Sequence, residues 1–85
     1  MFAIEYSREA VRALARMPRP AAERIRSKIE ALATDPDAPN NNVKKLIDRP
    51  GFRLRVGDWR VIYEIERDRV VILVLTVAPR GGAYR

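Results

Sequence analysis

The stretch from Gly51 to Ala78, GFRLRVGDWRVIYEIERDRVVILVLTVA, leaves the chain few structures to choose from. Phe52, Leu54 and Val56 alternate with Arg53 and Arg55, and Trp59, Val61, Tyr63 and Ile65 alternate with Arg60, Ile62 and Glu64. Successive side chains of a strand point to opposite faces, so this spacing predicts a sheet with one face shaped for a core and the other carrying guanidinium groups. Gly57-Asp58 fits a two-residue II′ hairpin turn in which glycine takes the positive φ, and Glu66 to Asp68 makes a second, charged turn. The third strand, Val70 to Ala78, is apolar at nearly every position, as a mid-sheet strand buried on both faces requires.

The remaining segments read as packing for this meander. Phe2 to Tyr6 alternates Phe2, Ile4 and Tyr6 on one side, a short strand for the sheet edge. Ser7 is a good helix N-cap, with Glu9 in the first turn where the helix dipole favours an acid. Val11, Leu14 and Ala15 recur at helical spacing, and Pro18 and Pro20 end that helix near Arg16 or Met17. A second helix runs from about Pro20 to about Thr34, with Ile25, Ile29 and Leu32 along one stripe. The short proline turn predicts an antiparallel helical hairpin, which must cover the apolar face of the sheet. Asp35 to Asn42, DPDAPNNN, is a loop signal without apolar content, and Val43 to Pro50 carries Lys44 and Lys45 beside Leu46 and Ile47, expected to tuck under the sheet edge. The expected architecture is α+β: an antiparallel four-stranded sheet with an N-terminal helical hairpin on one face, in the order β-α-α-β-β-β, as one domain over residues 1–85.

Composition narrows function mainly by exclusion. The chain has no cysteine and no histidine, which removes disulfides, thiolate nucleophiles, zinc sites built on those residues and every catalytic dyad or triad with an imidazole base. No cofactor is called for. With 85 residues the domain buries roughly 60 to 65% of its unfolded surface, so a partner covering part of it would matter to stability. No apolar run approaches the ~20 residues of a membrane span and no secretory leader is recognisable, so the expected location is the cytoplasm. Seventeen Lys and Arg oppose eleven acids, for a net charge of +6, and Arg outnumbers Lys. Guanidinium groups match phosphate bidentately and stay charged when partly buried, which points to RNA, DNA or an acidic protein; an arginine-rich proteome would give the same composition.

Arg53, Arg55 and Arg60 project from adjacent strands onto one face, where Arg80, following the third strand, can join them. Such a cluster repels itself unless acids or a polyanion sit among it. Two readings follow: a solvated strand face with its arginines paired to Glu64 or Glu66, or a surface for phosphates. No acid is placed to balance Arg53 and Arg55, which favours the second. Lys44-Lys45 is either a solvated loop or a contact. Tyr84 packs its ring, stacks on a base or moves a proton. Trp59 and Tyr63, on the apolar face, belong to the core, and Gly81-Gly82 lacks the following helix that makes a glycine-rich loop bind anions.

The order of elements, with Lys44-Lys45-Leu46, then FRLRVGDWRVIYEI, then VVILVLTVAPRGGAY, resembles the RelE/ParE superfamily of toxins from type II toxin-antitoxin systems, and most closely its RelE branch. The resemblance spans essentially the whole chain and is most specific at GDWRVIY and at the arginine and tyrosine after the last strand. It implies an endoribonuclease that cleaves messenger RNA in the ribosomal A site without a metal, by attack of the 2′-hydroxyl on the adjacent phosphate. It also implies roles: Arg60 and Arg80 as phosphate-stabilising arginines, Arg53 and Arg55 as basic strand residues that bind RNA and assist proton transfer, Tyr84 as the tail tyrosine, and a cognate antitoxin protein as partner; Lys44 and Lys45 are expected to join the RNA-binding set. Where some RelE enzymes have lysines, this chain has Arg53 and Arg55, and arginine does not readily deprotonate. That difference keeps a second reading in view, a ParE-like toxin that inhibits DNA gyrase and cleaves nothing.

Overall fold

The computed structural model describes residues 1–80. Strand β1 (Ala3–Tyr6) leads into helix α1 (Arg8–Arg16) and helix α2 (Arg19–Thr34), followed by β2 (Val43–Lys45), β3 (Phe52–Val56), β4 (Trp59–Glu66) and β5 (Val71–Pro79). The sheet has five strands in the order β1-β5-β4-β3-β2. Two of its features depart from expectation. Val43 to Lys45, expected to tuck beneath the edge, is itself the edge strand, paired antiparallel with β3. The first strand joins the sheet parallel to β5, with Ile4 opposite Ile72 and Tyr6 opposite Val74, so the sheet is mixed.

The helices form where capping and periodicity place them. Ser7, extended at φ −64°, accepts from the amide of Ala10 through Oγ and starts α1; Pro18 stands between the helices and Pro20 in the first turn of α2. The buried stripe of α1 is Ala10 and Leu14, continued by Met17, and not Val11 and Ala15 as the sequence spacing suggested: Val11 is 51% exposed. Helix α2 buries Ala22, Ile25, Ile29, Leu32 and Ala33. These residues pack on Leu54, Val56, Val61, Tyr63, Ile72, Val74 and Val77, with Phe2, Ile4, Tyr6, Phe52 and Trp59 partly buried around them. Phe52 and Tyr63 stack with ring centroids 5.5 Å apart across the β3–β4 pair.

A bulge in β5 sets which of its residues reach this core. Ile62 pairs with Thr76 but Tyr63 pairs with Val74, so Leu75 has no partner across the ladder. The skip turns Val77, instead of Thr76, toward the helices and leaves the Leu75 carbonyl unclaimed by β4. The Ser7 hydroxyl donates to that carbonyl at 2.6 Å while the Ser7 amide donates to the Val74 carbonyl at 2.8 Å, so one residue caps α1 and fixes the bulge. Strand β5 is therefore less enclosed than its composition suggested, because Leu73, Leu75 and Thr76 remain half-buried on the side turned from the core.

The two turns of the meander are fixed differently, the first by a local conformation and the second with help from distant residues. Gly57, at φ +58°, makes the β3–β4 turn in a region where other side chains are disfavoured. At the other end of β4, Val70 sits at φ +55°, a strained position for a β-branched residue. Charge pairs hold that turn: Arg67 with Asp37 at 2.7 Å, and Arg69 with both Glu66 and Glu5.

Val74 is fully buried between the helices and the sheet. Val74→Asp should abolish cooperative folding, a loss above about 4 kcal/mol, whereas Leu73→Asp on the other face should leave a folded but weakened protein. Urea denaturation followed by circular dichroism separates the two. Burial also pushes the Tyr63 phenol up to about 12 from its ordinary value of 10.0. The unfolded chain therefore ionises first, so this contribution to stability is complete below about pH 10 and is lost as the pH rises toward 12. Tyr63→Phe should make the alkaline loss of stability shallower over that window, measured by thermal melts across it.

Candidate functional site

The face turned from the helices gathers cations at the end of β4 that carries Gly57. Arg55 lies directly opposite Arg60 across the β3–β4 ladder, and Lys44 directly opposite Arg53 across the β2–β3 ladder. Like charges facing each other across a ladder destabilise a sheet by roughly 0.2–1 kcal/mol, so the arrangement needs compensating contacts. Arg60 finds them in the backbone. Only 9% exposed, it donates from Nη1 to the carbonyls of Trp59 (2.9 Å) and Gly57 (3.1 Å). Its guanidinium is thus held by the same turn that precedes its own strand.

Arg55 is braced from the other side by the asparagine loop. Its amide donates to the Asn42 carbonyl at 2.8 Å, and its Nη2 donates to Asn42 Oδ1 at 3.3 Å. Asn42 is itself set by Asn40, whose Oδ1 accepts from the Asn42 amide at 2.9 Å. The result is a cleft of about 190 Å³ lined by Asn41, Asn42, Lys44, Arg53, Arg55 and Arg60. Among the described residues its lining has four cations, two carboxamides and no carboxylate.

Three acids near the sheet are engaged elsewhere, while Glu64, on the same face of β4 as Arg60, forms no salt bridge among the described residues. Glu66 pairs with Arg69, as does Glu5, and Asp37 pairs with Arg67, whose guanidinium holds that carboxyl below its usual range. Six residues of strand separate Arg60 from Glu66, about 20 Å and well beyond a Debye length. Among the described residues neither Arg55 nor Arg60 has a carboxylate partner.

The other expected site residues fall at different distances from the cleft. The amide of Arg80 donates to the carbonyl of Asp58 at 2.7 Å, which ties the end of β5 to the β3–β4 turn beside Arg60. Lys45 lies opposite Phe52, one position out of phase with Lys44 and so on the other face of the strand. With Lys44, Leu46, Ile47, Asp48, Arg49 and Arg53 it borders a neighbouring hollow of about 520 Å³. Ile47, expected to tuck away, is fully exposed there at 102%. Tyr84 lies outside the described residues. The sequence reading missed Asn41 and Asn42 as lining residues; the run of three asparagines next to a basic strand was the only signal, and it reads equally well as an ordinary loop.

The family model described as the ParE toxin of the type II toxin-antitoxin system parDE matches residues 4–84. Among solved structures, the archaeal RelE-RelB complex from Pyrococcus horikoshii contains a chain 28% identical to this one, covering 95% of this chain and 97% of that chain with a TM-score of 0.79. The intact E. coli RelBE toxin-antitoxin complex aligns at 17% identity over 93% of this chain and 96% of that chain, TM-score 0.79. The YoeB/ParE toxin from Agrobacterium tumefaciens aligns at 13% identity over 93% and 99%, TM-score 0.78. The last two likenesses are of fold. No curated protein matches the sequence.

Phosphate binding in a cleft of this kind would proceed by neutralisation, with release of counterions. Affinity for a single-stranded RNA oligonucleotide should therefore fall linearly with salt on logarithmic axes. Arg55→Ala should lower the magnitude of that slope by about 1, and Lys28→Ala, on an exposed turn of α2, should leave it unchanged. Fluorescence anisotropy across a salt series reads both.

Proposed function

The chain belongs to the ParE toxin family of type II toxin-antitoxin systems, and from that membership we propose that it is a ribosome-dependent messenger-RNA endoribonuclease that stops translation. The observation carrying this reading is the buried Arg60, clamped on two backbone carbonyls in a cleft that, among the described residues, holds three further cations and no acid. A cation fixed before substrate arrives needs no reorganisation as charge grows on a phosphate, which is where an electrostatic catalyst gains most.

In this mechanism the 2′-hydroxyl of the messenger attacks the adjacent phosphorus and the 5′-oxygen of the next nucleotide departs. The products carry a cyclic phosphate and a 5′-hydroxyl. Arg60 and Arg80 meet the charge on the non-bridging oxygens; Arg53, Arg55 and Lys44 hold the flanking phosphates; Tyr84 orients the substrate or passes a proton. Lys45, on the other face of β2, meets ribosomal RNA or the antitoxin. A cognate antitoxin with acids set against Arg55 and Arg60 would silence the site by occupying it.

The second reading, gyrase inhibition without cleavage, is favoured by the ParE family model and by arginines at positions 53 and 55, which are poor proton acceptors. Mapping transcript 5′ ends and DNA breaks after induced expression distinguishes them: cut messages belong to the first reading, double-strand breaks to the second.

For the nuclease, Arg80→Ala should slow single-turnover cleavage on programmed ribosomes on the order of 10²-fold while changing ribosome affinity little, because binding is spread over many cations and phosphorane charge is met by few. Tyr84→Phe should match the parent if the ring only stacks, and should fail with Tyr84→Ala if the hydroxyl carries a proton.

A further inference from the structure

The asparagine run at 40–42 is the one sequence motif that the arginine chemistry leaves without a role, and the structure gives its three members different surroundings. Asn40 Oδ1 accepts from the Asn42 amide, which closes the turn. Asn42 Oδ1 and the Asn42 carbonyl both accept from Arg55. Asn41 does neither. It is exposed, it lines the cleft beside Arg53, Arg55 and Arg60, and among the described residues its carboxamide makes no hydrogen bond.

The chemistry of the lining separates phosphate binding from base reading. Lys44, Arg53, Arg55 and Arg60 carry donors and no acceptors, so they match phosphate oxygens or an edge made only of acceptors, such as N7 and O6 of guanine. A carboxamide presents a donor and an acceptor side by side. That pair complements N6 and N7 of adenine and mismatches guanine, whose O6 sits where the carboxamide needs a donor. Asn42 has its Oδ1 engaged by Arg55, so among the described residues Asn41 is the lining carboxamide with both groups uncommitted.

Building on the endoribonuclease reading, we propose that Asn41 is a base-reading residue of the cleft that selects adenine at one position of the messenger, with Asn40 and Asn42 as the scaffold that presents it. Phosphates are held by cations that recognise any sequence, and the neutral amide between them supplies discrimination.

The test is single-turnover cleavage on ribosomes carrying a panel of A-site codons in which adenine and guanine are exchanged at each position in turn. The parent should prefer adenine at one position by roughly 5- to 100-fold, the discrimination one bidentate pair supplies. Asn41→Ala should erase the preference at that position and keep it elsewhere, and Asn41→Arg should turn it toward guanine; thermal melts check that both variants fold. A parent indifferent to adenine at all positions, an Asn41→Ala variant with the parent's preference, or one slowed equally on every codon overturns the proposal while the nuclease reading stands. A parent that cuts no codon removes the nuclease reading and this inference with it.

Discussion

Strand β5 is paired antiparallel to β4 along its length and, over Val71 to Val74, parallel to β1 on its other edge, and the position of the other elements follows from it. Such pairing satisfies most of its backbone groups within the sheet, Ser7 taking the carbonyls of Val74 and Leu75, and its apolar side chains then demand cover. The two helices supply that cover on one face because the chain enters them directly from β1, already anchored beside β5. Ser7 makes the junction specific, since its amide and hydroxyl take two consecutive carbonyls of β5 while its oxygen caps α1. Where the β5 bulge falls decides which side chains enter the core, and the start of the first helix is bonded to that bulge.

With one face committed to burial, stability comes from one side of the sheet and the cationic site is built on the other. The β3–β4 pair serves both: Leu54 opposes Val61 beneath the helices while Arg55 opposes Arg60 on the reverse. A tightly packed hairpin is the place where two guanidinium groups can be held near each other, because the ladder fixes their spacing and the apolar side offsets their repulsion. Backbone carbonyls of the Gly57 turn then take the charge of Arg60 without a carboxylate. A carboxylate there would stabilise the free protein and compete with a phosphate. The ion pairs lie at the far end of β4, around Arg67 and Arg69, where they steady the strained turn at Val70 and leave the cleft's field intact.

The sequence by itself determined the alternation of Phe52 to Ile65, hence two faces of opposite character, because strand geometry has period two in any sheet. It also determined both helices, through Ser7, the two prolines and the Ile25–Ile29–Leu32 stripe, and the placement of arginines 53, 55 and 60 on one face, since parity along a strand and across a tight turn is a local property. What only the tertiary structure decided was pairing and register. Val43 to Lys45 is too short and too polar to announce itself as a strand, and it becomes one because β3 offers an edge. That β1 runs parallel to β5 is a consequence of where the helices return the chain. The β5 bulge exchanges Thr76 for Val77 in the core, and the stripe of α1 rotates to Ala10 and Leu14, because packing against the sheet selects the face and local hydrophobicity only offers candidates. The conversion of a basic strand face into a cleft, with Asn41 and Asn42 as its wall, required a loop 13 residues from Arg55 to fold back against it. Local pattern is written in neighbouring residues; contact between distant ones is chosen by the free energy of the whole fold.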